Sequence, residues 1–300
     1  MNIIGRRRIW YSISLAVILP GLISLVVFHL KLGIDFKGGS LLEIQGGGNA
    51  SAITAQAKTL GFQDVTVTSG SGEHLLIRYR DPGSPDQAEA RHKEFKAALA
   101  TTGLSEISYS TIGSSVSRDI TRNALLAIAA ASFAIVCYVA FAFRNAPPPV
   151  SPWSFGVTAI IALLHDAFFV LGVFSLLGHF FGIEVDALFV TAVLTVIGFS
   201  VHDTIVVFDR IRENLRRERA SFETVVNDSI LETFARSINT SLTVLLTLLA
   251  LFLFGGESIR YFVLALLVGV ASGTYSSIFN ASPLLVSWHN YKLKRAKARP

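Results

Sequence analysis

LTVIGFSVHDTIVVFDRIRENLRRER, residues 194–219, begins as an apolar helix and carries Gly198, Ser200, His202 and Asp203 while still inside the apolar run. It leaves through Asp209 and ends among Arg210, Arg212, Arg216, Arg217 and Arg219. An aspartate within a bilayer helix costs several kcal/mol unless it is partnered, protonated or turned to water, so its first reading is functional. The arginines beyond it mark where such a helix meets an aqueous face. This stretch therefore reads as a membrane span with a working acid inside it.

The rest of the chain agrees with a bilayer. Its 300 residues are 51% hydrophobic and 16% charged, against about 25% charged in ordinary soluble domains. The mean hydropathy is +0.54 and the isoelectric point near 9.4. The basic residues sit in short clusters beside apolar runs, which fits orientation in a membrane and excludes nucleic acid as a partner. A single Cys137 excludes an internal disulfide and a thiolate metal cluster, and no metal or cofactor is expected. Arg6, Arg7 and Arg8 precede an apolar run at 9–30. That run is about 20 residues, longer than the roughly 7–15 of a signal peptide, and no A-x-A site follows. It is expected to be a retained helix, bent at Pro20-Gly21.

Six stretches are long enough to span, near 9–30, 122–143, 153–177, 186–208, 234–254 and 260–288. The last is expected to be a shorter span that continues past Pro283. If each crosses once, the arginine triplet, the 210–219 cluster and the basic end at 292–299 share one side. The positive-inside rule then makes both termini cytoplasmic. The Pro147-Pro148-Pro149 link with Arg144 is a weak loop on that side. The arginine cluster, alternating with Glu213 and Glu218, reads as a solvated surface helix next to anionic lipid.

Between the first two spans lies a segment of different texture. Residues 41–45, 65–68, 75–80 and 107–112 read as strands; 50–60 and 85–101 read as short helices, the second capped by Ser84. Gly61 ends the first helix, and a glycine-rich turn at 69–72 joins the middle strands. The order βαββαβ is the ferredoxin-like split unit. His74 and His92 read as solvated surface histidines, and nothing in the insert looks catalytic. The expected architecture is an α-helical polytopic membrane protein with six transmembrane helices and a small α+β, ferredoxin-like extracytoplasmic insert. Its parts are a first helix (1–30), the insert (31–121), a five-helix region (122–290) and a basic cytoplasmic tail (291–300).

Asp203 lies about six residues inside the expected cytoplasmic end, roughly 9 Å at 1.5 Å per residue. Arg236 starts the next span at a similar depth. Desolvation favours a neutral acid and a nearby cation favours the ionised one, so movement of a guanidinium could load or unload a proton. The plainer alternatives are a helix–helix hydrogen bond for Asp203 and snorkelling to the interface for Arg236. His202 points about 100° away from Asp203 around the helix; it reads as a relay, a pH-tuned neighbour or a packing histidine. His165-Asp166 forms a second His-Asp step in the third span. Counted by depth, Asp166 and Asp203 differ by roughly 10 Å, too far to share the proton of an aspartyl protease. A zincin's H-E-x-x-H is absent, so no enzyme is expected. Thr240 and its polar neighbours either line a proton path or bond their own helix. Gly269-x-x-x-Gly273, with Ser272, Ser276 and Ser277, is a small-residue packing face. Gly33, Asp35, Gly38 and Gly39 form one hinge of the insert, and 113–117 the other.

Three motifs resemble the SecF family: GIDFKGGSLLEI (33–44), VIGFSVHDTIVVFDRIREN (196–214), and TSLTVLLTLLALFLFGG (240–256) with GVASGTYSSIFNASPL (269–284). His202 stands where many members have Asn. The resemblance implies a resistance-nodulation-division superfamily subunit of the Sec protein-export machinery in the cell inner membrane. Its implied partners are a separate SecD polypeptide, the SecYEG translocon, exported polypeptide and membrane lipid. It implies use of the proton gradient to move the periplasmic domain, with Asp203 as proton carrier and Arg236 as counter-charge; Asp166, His202 and Thr240 follow behind them. Two alternatives remain: a proton-independent scaffold of the translocase, or a small-molecule or lipid exporter of the same superfamily.

Overall fold

The computed structural model describes residues 2–46, 48–69, 74–81, 85–217 and 220–297. The 70–72 part of the expected turn, the Ser84 cap, Glu218, Arg219 and Arg299 lie outside them. In chain order the elements are α1 (Arg7–Val27), α2 (Ile34–Lys37), β1 (Gly39–Gln45), α3 (Ala50–Thr59), β2 (Gln63–Ser69) and β3 (His74–Arg80). Next come α4 (Pro85–Ala100), β4 (Ser105–Ile112), α5 (Ser114–Ala142), α6 (Pro152–Phe181), α7 (Ala187–Arg217) and α8 (Phe222–Phe254). α9 (Arg260–Ser276) runs through a π turn at Ser277–Ala281 into α10 (Ser282–Lys297). Among the described residues, six helical stretches are long and apolar enough to cross a membrane. The chain folds as two units: Lys31–Leu125 with Glu184–Ala187, and Met1–Leu30 with Leu126–Ile183 and Leu188–Pro300.

The first unit is the βαββαβ insert. All strand pairs are antiparallel and the sheet order is β2-β3-β1-β4, the ferredoxin-like arrangement. Alternation along β1 puts Ser40, Leu42 and Ile44 on the buried face, as the two-residue period of a strand requires. Ile53 and Ala57 of α3, Phe95 and Leu99 of α4, and Phe62, Ile77 and Tyr79 complete the core. Asn49 caps α3 by accepting from Ser51 N–H at 3.0 Å. Gly61, at φ +83°, turns the chain out of it. His92 is not a surface residue: it is 8% exposed, stacked on Tyr109 at 3.6 Å and paired with Glu106 at 3.2 Å. Its alternation on an amphipathic helix looked polar, but the ring is flat enough to serve as a core wall. His74, half-buried, meets Glu43 at 3.2 Å.

The second unit is the helical bundle. Here α1 crosses α6 where Gly21 and Gly172 meet; a Cβ on either would fall within 3 Å of the other's Cα. Only glycine allows that approach. Several expected boundaries move. α7 runs unbroken to Arg217, so the arginine cluster continues the span and is not a separate surface helix. α8 starts at Phe222, twelve residues before the expected 234. α5 starts at Ser114, so 114–117 are helical and leave Gly113 as the only non-helical residue of the expected second hinge. Helix signals extend beyond the apolar window because polar residues propagate a helix as well as apolar ones do. The last helix continues past Pro283, as expected. Pro283 lies in the first turn of α10, where its missing N–H costs least, and the irregularity is the π turn just before it.

Candidate functional site

Among the described residues, two carboxylates are buried in the helical bundle, Asp166 at 1% and Asp203 at 6% exposure. Asp166, on α6, accepts from four donors. Ser200 of α7 bonds Oδ2 at 2.5 Å and Ser272 of α9 bonds Oδ1 at 2.7 Å. Ser276 also donates to Oδ2, and the adjacent His165 Nδ1 lies 3.1 Å from Oδ1. Asp203, on α7, accepts from two: Ser237 of α8 at 2.7 Å on Oδ1, and Ser277 on Oδ2. No hydrogen bond joins the two acids among the described residues.

The helix geometry explains who meets whom. Ser200 and Asp203 are three residues apart on α7, one facing α6 and the other facing α8. Gly269, Ser272, Gly273 and Ser276 follow the i, i+3, i+4, i+7 rule and form one face of α9. A Cβ on Gly269 would sit 2.1 Å from Val196, and one on Gly273 would sit 3.1 Å from Ser200 Cβ. The glycines thus bring α9 close enough for its serines to reach. Ser276 and Ser277 are consecutive and about 100° apart, so each addresses a different acid. The π turn starts at Ser277, and such turns often mark functional positions. One layer away, Thr274 donates to Ser241 at 2.6 Å, and Ser14 of α1 to Asn280 at 2.7 Å.

The expected counter-charge is not on Asp203. Arg236 is exposed and lines a surface recess with Asp209, Arg210, Glu213 and Glu232. The side chain that reaches Asp203 is its neighbour Ser237. Depth alone put Arg236 at the right level; rotation of about 100° per residue turns it aside. His202 and Thr240 are likewise exposed. The Thr240 carbonyl accepts from the Thr243 hydroxyl at 2.8 Å, and among the described residues its own hydroxyl reaches neither acid. The serines of α9 were visible in the sequence as a small-residue face, but their service to the acids was not. Their coincidence with two buried aspartates was the signal available.

The hinge residues of the insert unit have partners too. Gly33 N–H donates to Val185 carbonyl at 2.8 Å, and Val185 N–H to Lys31 carbonyl at 2.8 Å. A Cβ at Gly33 would lie 3.1 Å from that Val185 oxygen. Glu184 pairs with Arg78 of β3 and lies 3.8 Å from Lys31. Burial, and then the nearby Arg78 charge, push the Lys31 ammonium below its ordinary value. Asp35 accepts from Ala187 N–H at 2.7 Å, which makes it a cap for the first turn of α7. Gly38 and Gly39 have φ of +72° and +115°, a region that side chains disfavour. Asp35, read from the sequence as part of the insert's first hinge, bonds the start of the helix that carries Asp203.

Fold and site together define a class: a six-span membrane protein with a ferredoxin-like insert and two serine-held intramembrane acids. The model for "Protein export membrane protein SecD/SecF, C-terminal" matches residues 93–291, and the "SecD/SecF GG Motif" matches 23–47. The protein translocase subunit SecF of Thermobaculum terrenum is 47% identical over 97% of this chain and 94% of its own length. The subunit SecDF of Bacillus subtilis is 36% identical over 98% of this chain. The crystal structure of the translocon-associated membrane protein SecDF from Thermus thermophilus superposes with a TM-score of 0.84 at 32% identity, over 97% of this chain. The chain spans 39% of each of these SecDF polypeptides. The chain belongs to the SecD/SecF family of protein-export membrane proteins.

Proposed function

We propose that this chain is the SecF-type subunit of a bacterial protein translocase, working with a SecD partner beside the SecYEG channel to draw exported polypeptide outward. It would lie in the inner membrane with both termini cytoplasmic and the insert unit in the periplasm. We infer that the proton gradient drives it through Asp203. One observation carries this: Asp203 is buried yet, among the described residues, accepts two of the roughly four hydrogen bonds open to a carboxylate. Its two partners are hydroxyls, which donate to an ionised acid and accept from a neutral one. The site therefore holds its geometry in both states.

One charge crossing 100 mV supplies about 2.3 kcal/mol, or about fiftyfold in an equilibrium. That suffices to bias a two-state motion. Arg236 is one residue from Ser237, so a shift of α8 that withdraws the hydroxyl brings the guanidinium toward the acid. The Asp35 cap supports a mechanical link from the insert to the start of α7. Asp166 serves as the fixed packing centre in this reading, and Thr240 and His202 as surface groups. No covalent chemistry is assigned to either acid, since each has its own hydroxyls.

The test is Asp203→Asn in inverted vesicles carrying the whole translocase. We expect gradient-stimulated export to fall to the level seen without a gradient, with complex assembly unchanged. Unchanged stimulation would support the scaffold reading, and loss only through failed assembly would do the same.

A further inference from the structure

We propose that the groove between α5 and α6 is a binding site for an anionic phospholipid, with its phosphate on Arg144 and an acyl chain in the recess over Gly156. The recess is about 320 Å³ and is lined by Val136, Ala140, Arg144, Trp153, Gly156 and Ile160, among others. Gly156 is buried, yet a Cβ built on it would meet no atom within 4 Å. The space there is a hole in the bundle surface that no side chain of this unit fills.

The charge at its mouth is available. Arg144 is exposed, and its guanidinium lies 3.9 Å from the centre of the Phe141 ring. Among the described residues no carboxylate pairs with it. Its neighbours are engaged. Arg212 donates to the Ala142 carbonyl at 3.0 Å and Arg216 to the Asn145 carbonyl at 3.2 Å. Lys292 reaches the Ser151 and Ser154 hydroxyls at 3.3 and 3.4 Å. Trp153 is 76% exposed at the same helix end, where indoles favour the headgroup level of a bilayer.

The occupant follows from this combination. A water-soluble anion gains nothing from walls of Val, Ala and Ile, and a neutral lipid gains little from the guanidinium. A phospholipid with net negative charge uses both, and the recess passes directly from Arg144 down to Gly156 and Ile160.

The experiment reads Trp153 emission, taken as the difference between the full chain and its Trp153→Phe variant in lipid nanodiscs. Tail-brominated phosphatidylglycerol, as a minor component in phosphatidylcholine, is compared with tail-brominated phosphatidylcholine at the same fraction. We expect stronger quenching by the glycerol lipid, a preference that falls about fivefold in Arg144→Gln and is largely kept in Arg144→Lys. Gly156→Leu is expected to reduce quenching by both lipids, and soluble glycerophosphate to leave it unchanged. Equal quenching by the two lipids, or a preference that survives Arg144→Gln, overturns the proposal. Full competition by glycerophosphate would overturn it in favour of a bare anion site. Loss of the preference once the partner subunit is present would overturn it in favour of a protein interface. Arg144 is a surface residue, so its variants keep the test valid if Gly156→Leu does not fold.

Discussion

A carboxylate offers about four acceptor positions, and Asp166 fills them with Ser200, Ser272, Ser276 and His165. Removing that acid strands several buried donors at about 1–3 kcal/mol for each that finds no new partner. Ser276 has one relief, since it also reaches the Gly273 carbonyl at 3.2 Å. Ser277 has the same relief at the Thr274 carbonyl, 3.0 Å away, and with Ser237 it is one of two donors to Asp203 among the described residues. Asp166→Ala is therefore expected to lower the thermal unfolding midpoint in nanodiscs more than Asp203→Ala does. The opposite order would remove the distinction between a packing centre and a working one. His92 gives a second test at this scale. Burial pushes its imidazole below the ordinary value, against the opposing pull of Glu106. The unfolded chain then takes up the proton first as pH falls, so the stabilisation is complete above about 6.5 and is lost below it. Protection factors of the α4 and β4 amides, which take out the intrinsic pH dependence of exchange, should fall as pH drops from about 7 to about 5, and His92→Gln should flatten that response. A response of equal size in the variant would assign it to other groups.

At the scale of elements, the α7–α9 crossing sets whether the serines reach the acids. A methyl on Gly269 overlaps both Val196 methyls, at 2.1 and 2.7 Å, and such overpacking costs about 1–3 kcal/mol or more. Gly269→Ala should reduce the yield of folded protein, and Val196→Ala in the same chain should restore it by clearing the space. If the double variant is no better than the single one, the crossing is not what Gly269 protects. That face was legible in the sequence because its period is plain: Gly269, Ser272, Gly273 and Ser276 recur as a helix stripe. The βαββαβ order was legible for the same reason, from alternation and glycine stops. What the chain did not disclose was rotation. Arg236 and Ser237 differ by one residue, and no pattern in α8 says which of them faces α7, because both are polar and apolar residues (Phe234, Ala235 and Ile238) flank the pair on both sides. The reach of Asp35 to Ala187 was hidden for another reason. It joins residues far apart in sequence, and only the fold brings the 184–187 link to the insert.

For the whole molecule, charge placement decides which end of the helical unit meets which compartment. Arg7 pairs with Glu223 at 3.3 Å, and Asn290 bonds the same Glu223 at 2.8 Å. Arg216 and Lys292 reach the 145–154 region. The starts of α1, α6 and α8 and the ends of α5, α7 and α10 therefore share one end, and it holds most of the unit's cations. Cations near span ends resist translocation, so this end is expected in the cytoplasm and β4 of the insert on the opposite side of the bilayer. In a Cys137→Ser background, Asn145→Cys should react with a membrane-impermeant maleimide only after the cells are permeabilised. Ser105→Cys should react with it in spheroplasts that are otherwise intact. Both positions lie outside the expected hydrocarbon region, so a failure to label under either condition cannot be put down to lipid burial. Reaction at Asn145→Cys from outside would invert the chain, and the proton path through Asp203 would then have to open from the other compartment.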